Sequence, residues 1–273
     1  RAEMNWLEDR GIDAVVSDIC PVSLDAAQRA GKPAIALCSI NWAEVLAFDP
    51  ALARSCADAI AYLRGVYTNC DLTVRLRPFI DGLPGRRRVE TDPVARIGLN
   101  RRAEILRRAG LAADLPLAMI SSGGMASFPF AIALPARADV AWLLPEGMGA
   151  AHATQIEAAR VADISFVDRV ASSDVLVAKP GYGLVVEAIA NGVKLALIER
   201  TNFVDVPSLV AFAHRHGSAI DLALTDFASG AWVEKTAAFA RDGRTPRRPA
   251  FRGIGQAARE ILQELGRGRD VQA

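Results

Sequence analysis

The feature that most constrains this chain is an alternation. Short apolar runs, bounded by glycine or proline, are separated by amphipathic stretches long enough to be helices. A run that short and apolar throughout matches a strand buried on both faces. A helix between successive strands is what a parallel sheet needs to bring the chain back to its starting edge. The pattern predicts strands at 12–17, 33–38, 71–76, 115–121, 140–144, 164–167, 174–178 and 194–198. Helices are expected near 22–30, 43–48, 51–67, 100–109, 154–160, 182–191, 205–216, 228–241 and 254–265.

Residues 77–98 interrupt the rhythm with Pro78, Gly82, Pro84, Gly85, an arginine run at 86–88 and Pro93. They read as the passage between two halves, with the arginines on a solvated turn. The domains expected are 1–98, 99–250 and a final helical segment, 251–273. Only three strands precede residue 77, and the numbering opens on Arg1, so the first domain is expected to be incomplete at its N-terminus. With 273 residues, 51% of them hydrophobic, there is apolar material for two cores.

Composition removes several classes of function. A net charge of +1 gives no electrostatic case for nucleic acid or an anionic membrane. No apolar run reaches the roughly 18 residues of a membrane span, so no integral membrane segment is expected. Cys20, Cys38, Cys56 and Cys70 form no Cys-x-x-Cys pair, and they read as free thiols of a cytoplasmic protein. His152, His214 and His216 lack the spacing of a metal set, so neither a metal nor a cofactor is expected. There is no Gly-x-Ser-x-Gly elbow for serine hydrolysis.

In an open parallel sheet, ligands bind beyond the carboxyl ends of the strands. The strand ending at Ile120 leads into Ser121, Ser122, Gly123 and Gly124. Glycines there let backbone N–H groups turn toward a phosphate, although a plain tight turn would use the same residues. The strand ending at Ala178 leads into Lys179, Pro180, Gly181, Tyr182 and Gly183, then a helix. Its N-terminus, with Lys179 beside it, suits a diphosphate. Glu187 stands one turn after Gly183 among apolar neighbours and leans back toward that loop. It either grips sugar hydroxyls or closes an ion pair with Lys179 or an arginine. After the strand at 194–198 come Arg200 and Asp205, the latter either a ligand group or a helix cap. In the first half, Asp18 is a candidate base or a cap, and Asn41 and Trp42 follow the second strand, where Trp42 reads as packing rather than stacking.

The run DVLVAKPGYGLVVEAIANGVKLALIERTNFVDVPSLV resembles the C-terminal half of GT-B glycosyltransferases. It is similar to the peptidoglycan N-acetylglucosaminyltransferase type, and more so to the glycosyltransferase-like region of plant L-arabinokinases. The likeness extends to SDICPVSLDAA, Asn41-Trp42, the ISSGG loop and the last helix. It implies two Rossmann-like, doubly wound parallel-sheet α/β domains, with a last helix crossing back to the first. It implies a metal-independent glycosyltransferase that takes a nucleotide-sugar donor, UDP-linked, and passes the sugar to an acceptor hydroxyl. By position, Gly123 and Gly124 match the family's phosphate-side loop, Gly181 and Gly183 the glycines before the helix, and Glu187 the ribose-binding glutamate. Lys179, Tyr182, Arg200, Asp205, Ser121 and Ser122 complete the donor side. Asn41 and Trp42 are the acceptor side, and Asp18 is the candidate base. The family's usual Asp-Gln pair is replaced by Phe203-Val204-Asp205-Val206-Pro207. A nucleotide-sugar hydrolase or epimerase, or a non-catalytic sugar-nucleotide-binding module, are the rival readings. The acceptor and the oligomeric state are not specified by the sequence.

Overall fold

The computed structural model describes residues 2–121, 123, 134 and 137–270, with the backbone alone for 268–270. They form two compact units: Arg1–Val94 with Asn202–Ser208 and Phe251–Ala273, and Ala95–Thr201 with Leu209–Ala250.

The first unit opens with α1 (Ala2–Asp9), β1 (Val15–Ser17), α2 (Pro21–Arg29), β2 (Ala34–Cys38), α3 (Trp42–Phe48), α4 (Pro50–Ser55), α5 (Ala57–Thr68), β3 (Leu72–Leu76) and β4 (Arg87–Thr91). The four strands are parallel and lie in the order β1-β2-β3-β4, with Val15 opposite Ala34, Ile35 opposite Leu72 and Leu72 opposite Arg87. The central strands bury nearly every residue, and Leu24, Ala27, Val66 and Tyr67 close the core over them.

β4 corrects the expectation of a solvated arginine turn. Its sequence, Arg-Arg-Val-Glu-Thr, has no apolar run because it is the edge of the sheet and half its side chains face outward.

The second unit contains α6 (Arg102–Arg108), β5 (Leu117–Ser121), β6 (Ala141–Leu143), β7 (Gln155–Ile156), α7 (Phe166–Ala171), β8 (Val175–Ala178), α8 (Tyr182–Asn191), β9 (Lys194–Ile198), α9 (Val206–His216, whose first three residues group with the first unit), β10 (Ala219–Leu222), α10 (Leu224–Ser229) and α11 (Ala231–Arg241). All six strands are parallel, in the order β10-β9-β8-β5-β6-β7. The chain therefore starts in the middle, builds outward through β6 and β7, returns to the other side of β5 at β8, and builds outward again. β5 and β8 are neighbours, Ser121 lying opposite Ala178. Their carboxyl ends flank the point where strand order reverses, which is where open α/β sheets bind ligands. Trp142, fully buried, meets Trp232 edge to face at 5.7 Å, and Phe227 stacks on Trp232 at 4.9 Å.

Two expectations fail here. The helix predicted at 154–160 is the short strand β7 followed by a 3₁₀ turn, Ala158–Val161. The strand predicted at 164–167 is the start of α7, whose N-cap Ser165 accepts from the Asp168 N–H at 3.2 Å through Oγ. Periodicity does not separate strand from helix in segments this short, but a serine three residues before an aspartate was a start signal.

The chain ends in α12 (Gly253–Asp270), which lies against β3 and β4 of the first unit. Arg87 of β4 reaches both Glu260 and Glu264 of α12, the latter at 3.1 Å, and the Asp92 N–H donates to Gln256 Oε1 at 2.7 Å. The arginine run is thus partly consumed in holding this helix.

Candidate functional site

The second unit has a pocket of about 450 Å³ at the carboxyl ends of β5 and β8. It brings together Gly123, Lys179, Gly181, Tyr182, Gly183, Glu187 and Arg200 from four separate loops and helix positions. Arg96, Phe166, Pro180 and Leu184 also line it. Ser121 is the last residue of β5, and its buried Oγ accepts from the Gly123 N–H at 3.2 Å. Ser122 and Gly124 lie outside the described residues.

α8 supplies the floor. Its N-cap is Gly181, with extended backbone and no side-chain cap. The first N–H groups of the helix are therefore not taken by a cap side chain, and the positive end of its dipole faces the pocket. A Cβ on Gly183 would meet no atom of the described residues within 4 Å outside its own helix, and Gly183 lines the pocket. Gly123 is different: its φ of +67° is left-handed, and a Cβ there would press on Leu184 at 3.3 Å. Both glycines flank the same volume, one because the backbone must turn and the other because nothing fills the space.

Cations dominate the rim. Lys179 is buried, 8% exposed, and desolvation, followed by the nearby charge of Arg200, lowers its pKa from the ordinary 10.5. Glu187, on α8, is also buried. Its carboxylate accepts from Arg96 Nε at 2.6 Å and Nη2 at 3.3 Å, so the arginine alternative is the one found. Arg96 lies in the passage from which no ligand group was expected, which is why the sequence did not single it out. The pair does not turn away from the site, since both side chains line the pocket and that of Arg96 is 68% exposed. The Glu187 hydrogen bond, then its charge, raises the Arg96 pKa. Asn191, at the far end of α8, fixes the backbone of this stretch: its amide donates to Arg96 O at 3.0 Å and its oxygen accepts from Gly98 N at 2.9 Å.

The remaining expected residues belong to the first unit and do not line this pocket. Asp205 directly precedes α9, in the place of a helix cap. Asp18 follows β1 and is exposed, yet the surrounding protein raises its carboxyl pKa by desolvation. It is not the cap of α2, because that position belongs to Cys20. Ile19 carries a left-handed φ of 53°, an outlier for a β-branched residue. Tyr67 Oη donates to Ile19 O at 2.6 Å and accepts from Trp42 N at 3.4 Å, tying the loops after β1 and β2 together. Asn41 is buried and caps α3, its Oδ1 accepting from Glu44 N at 2.9 Å. Trp42 is 45% exposed, so more than half of its surface is covered.

No family profile matches the chain. Over 281 aligned positions it is 26% identical to L-arabinokinase of Arabidopsis thaliana, a match that covers 98% of this chain and 26% of that protein. The chain thus spans about a quarter of the curated relative's length. Among solved structures it is similar to the calicheamicin glycosyltransferase CalG4, with a TM-score of 0.61, 19% identity, and coverage of 98% of this chain and 77% of that one. A UDP-glucosyltransferase from Polygonum tinctorium matches with a TM-score of 0.56 at 12% identity, covering 97% and 73%. MurG of Acinetobacter baumannii matches with a TM-score of 0.52 at 12% identity, covering 96% and 76%. At these identities the likeness establishes the fold, which is of the GT-B type expected from the sequence.

Proposed function

We propose that this chain is the nucleotide-sugar-binding part of a GT-B glycosyltransferase and that the pocket at the tip of α8 holds the donor. One observation carries the reading. At the reversal of strand order, an uncapped helix N-terminus opens into a pocket of about 450 Å³ whose rim holds Lys179, Arg200 and Arg96 against one carboxylate. The excess of positive charge and the helix dipole suit a diphosphate, and the volume falls within the roughly 300–1,000 Å³ of small-ligand sites.

In this reading the diphosphate lies over Gly123 and the N–H groups of Tyr182 and Gly183, with Ser121 shaping the loop beneath. Lys179 and Arg200 neutralise it. The ribose diol shares Glu187 with Arg96 or displaces it, and the exposed arginine side chain is free to swing toward the phosphates. Transfer breaks the bond from the anomeric carbon to the diphosphate oxygen and forms one to an acceptor oxygen, whose proton passes to a base. The leaving diphosphate is stabilised by fixed dipoles and cations, so no divalent ion is required. Trp42 would contact the acceptor, with Asn41 capping the helix that carries it, and Asp18 would be the base, its raised pKa suiting proton uptake. UDP is the nucleotide to test first, and a reducing, cytoplasmic setting fits the four free cysteines. No helix among the described residues is long and apolar enough to cross a membrane.

A second reading, a non-catalytic donor-binding module, is favoured by Asn41, expected on the acceptor side, being buried as the cap of α3. Calorimetry of UDP and UDP-sugars with the wild type and Glu187→Ala tests the shared premise. Saturable binding that weakens at least several-fold in the variant is expected. Equal affinity for both proteins overturns the ribose assignment. Turnover of a UDP-sugar with an acceptor then separates the enzyme from the module, and turnover without one would indicate a hydrolase.

A further inference from the structure

The carboxyl edge of the first sheet carries the one left-handed residue other than glycine among the described residues, and it directly follows the candidate base. β1 and β2 are neighbours, Ser17 lying opposite Ala36, so the loops that leave them start side by side. After β1 only Asp18, Ile19 and Cys20 precede α2, which begins at Pro21. Ser17 closes that turn, its Oγ accepting from the Cys20 N–H at 3.1 Å. Ile19 meets the geometry with a φ of 53°. Glycine or asparagine adopts that conformation readily, whereas a β-branched side chain is strained in it.

Strain of this kind persists where the surroundings over-determine it. Two contacts do so here. The Ile19 side chain packs on the core that includes Leu24, Ala36 and Cys38. Its carbonyl accepts from the Tyr67 hydroxyl at 2.6 Å. Tyr67 stands in the last turn of α5 and is buried, and desolvation pushes its pKa up to about 12, so the hydroxyl keeps its proton. The same oxygen accepts from the Trp42 N–H at 3.4 Å, at the first residue of α3. A phenylalanine would pack the same ring into this core. What the hydroxyl adds is a tie between residue 19 and residue 42.

We propose that Tyr67 is a positioning residue, which holds the strained Asp18–Ile19 backbone and the start of α3 in one arrangement so that the Asp18 carboxylate and the Trp42 side chain meet the same acceptor. This role rests on the reading of Asp18 as the base and Trp42 as an acceptor contact. A base must lie within hydrogen-bond reach of the proton it takes, and a misplacement of about 1 Å costs on the order of 100-fold in rate. A three-residue loop with a strained centre does not hold a carboxylate to that tolerance unaided.

The test is Tyr67→Phe, which keeps the ring and removes the hydroxyl. Gln28→Leu is the control, because it deletes another hydrogen bond to α5 in the same core, from Gln28 Nε2 to Val66 O at 2.8 Å. Both variants should lower Tm. Only Tyr67→Phe should shift the Asp18 carboxyl carbon resonance and the Trp42 indole N–H resonance. Its Asp18 titration midpoint, raised in the wild type by desolvation, should fall toward the ordinary 3.8 as the loop opens to water. Cys38 of β2, which feels the Asp18 charge, is pushed up to about 12 by burial and stays neutral across that range, as do Tyr67 and Cys20, while Arg75 of β3 stays charged. UDP affinity should be unchanged, because none of Asp18, Trp42 and Tyr67 lines the pocket at the tip of α8. In turnover of UDP-glucose, kcat should fall roughly tenfold or more while the donor KM holds. An Asp18 resonance untouched by Tyr67→Phe, or moved equally by Gln28→Leu, overturns the proposal whatever the donor site does. A wild type that fails to bind UDP overturns the donor reading instead, and the resonances still decide whether Tyr67 places Asp18. Shifted resonances with kcat unchanged would remove Asp18 as the base and end the proposal with it.

Discussion

Gly183→Ala sets protein stability against ligand affinity and so tests the donor site most sharply. Gly183 is the second residue of α8, and an added Cβ would meet no atom of the described residues within 4 Å outside its own helix. Alanine in a helix is favoured over glycine by about 0.5–1 kcal/mol, and a first-turn position should deliver the lower part of that range. For a domain of this size, that raises Tm by roughly 1–3 °C. The same methyl group projects into the space where the diphosphate is proposed to approach the helix N–H groups. Forcing a ligand past an extra carbon costs about 1–3 kcal/mol, or about 5- to 150-fold in Kd. Scanning calorimetry and titration with UDP should therefore move in opposite directions, with a more stable protein that binds less tightly. Gly123→Ala is the contrast, because its left-handed backbone and the nearby Leu184 should lower both quantities. Unchanged UDP affinity in Gly183→Ala would mean the ligand does not sit over the helix tip. A loss of stability would mean that the space is not open.

Two pH dependences follow from the ionisable groups. Lys179 is held below its ordinary 10.5, and an anion prefers its charged form, so UDP affinity should be flat near neutrality and fall as pH rises through that lowered value, earlier than an unperturbed lysine would titrate. Lys179→Gln should remove that alkaline limb in calorimetric titrations, and a limb that persists would assign it elsewhere. Folding stability has the opposite sign over the same window, because the unfolded lysine binds the proton more tightly and stability rises with pH. At the acid end, Arg137 lowers Asp139 and Arg108 lowers Asp163, each from 3.8 to about 2. Their contribution is complete above 3.8 and lost as pH falls through about 2, so melts of the second unit should decline across that range and decline less in high salt, which screens these exposed pairs. A flat Tm there would contradict the assignment.

Much of the fold was legible because burial on both faces leaves an unbroken apolar signature. Lys194–Ile198 and Tyr182–Asn191 were read to the residue, and the other central strands to within a few residues. What escaped had a physical reason. β4 is an edge strand built of charge, and β7 has two residues. β10 alternates at the opposite edge, Ala219 and Ile220 being only half-buried and Asp221 exposed. Each lacks the apolar run that marks a buried strand. The site followed the same division. Gly123, Lys179 and Gly183 were visible as residues that follow apolar strands, whereas Arg96 sits in a segment without period and reaches the pocket only through tertiary placement.

α8 shows how a single element can serve both ends of a parallel sheet. Its apolar stretch Val185–Val186 and Ala188–Ile189 is buried, which fixes the helix axis and so fixes what each tip faces. At one tip, a glycine cap brings no side chain to the first backbone N–H groups, and that tip lines the pocket. At the other, Gly192, with φ +70°, ends the helix and makes room for Arg248. Asn191 spends its side chain on Arg96 O, Gly98 N and Glu187 O. The backbone carrying Arg96 is thus tied to the end of the helix that carries Glu187, while the arginine side chain stays exposed. In the proposed reading, that combination of a fixed backbone and an exposed guanidinium would let Arg96 pair with Glu187 and yield it to a ribose without rebuilding the fold. The cost of release is small only if hydroxyls replace the arginine at once, because a buried carboxylate left without partners is strongly disfavoured. The pocket should therefore discriminate between ligands by their diol as much as by their phosphates.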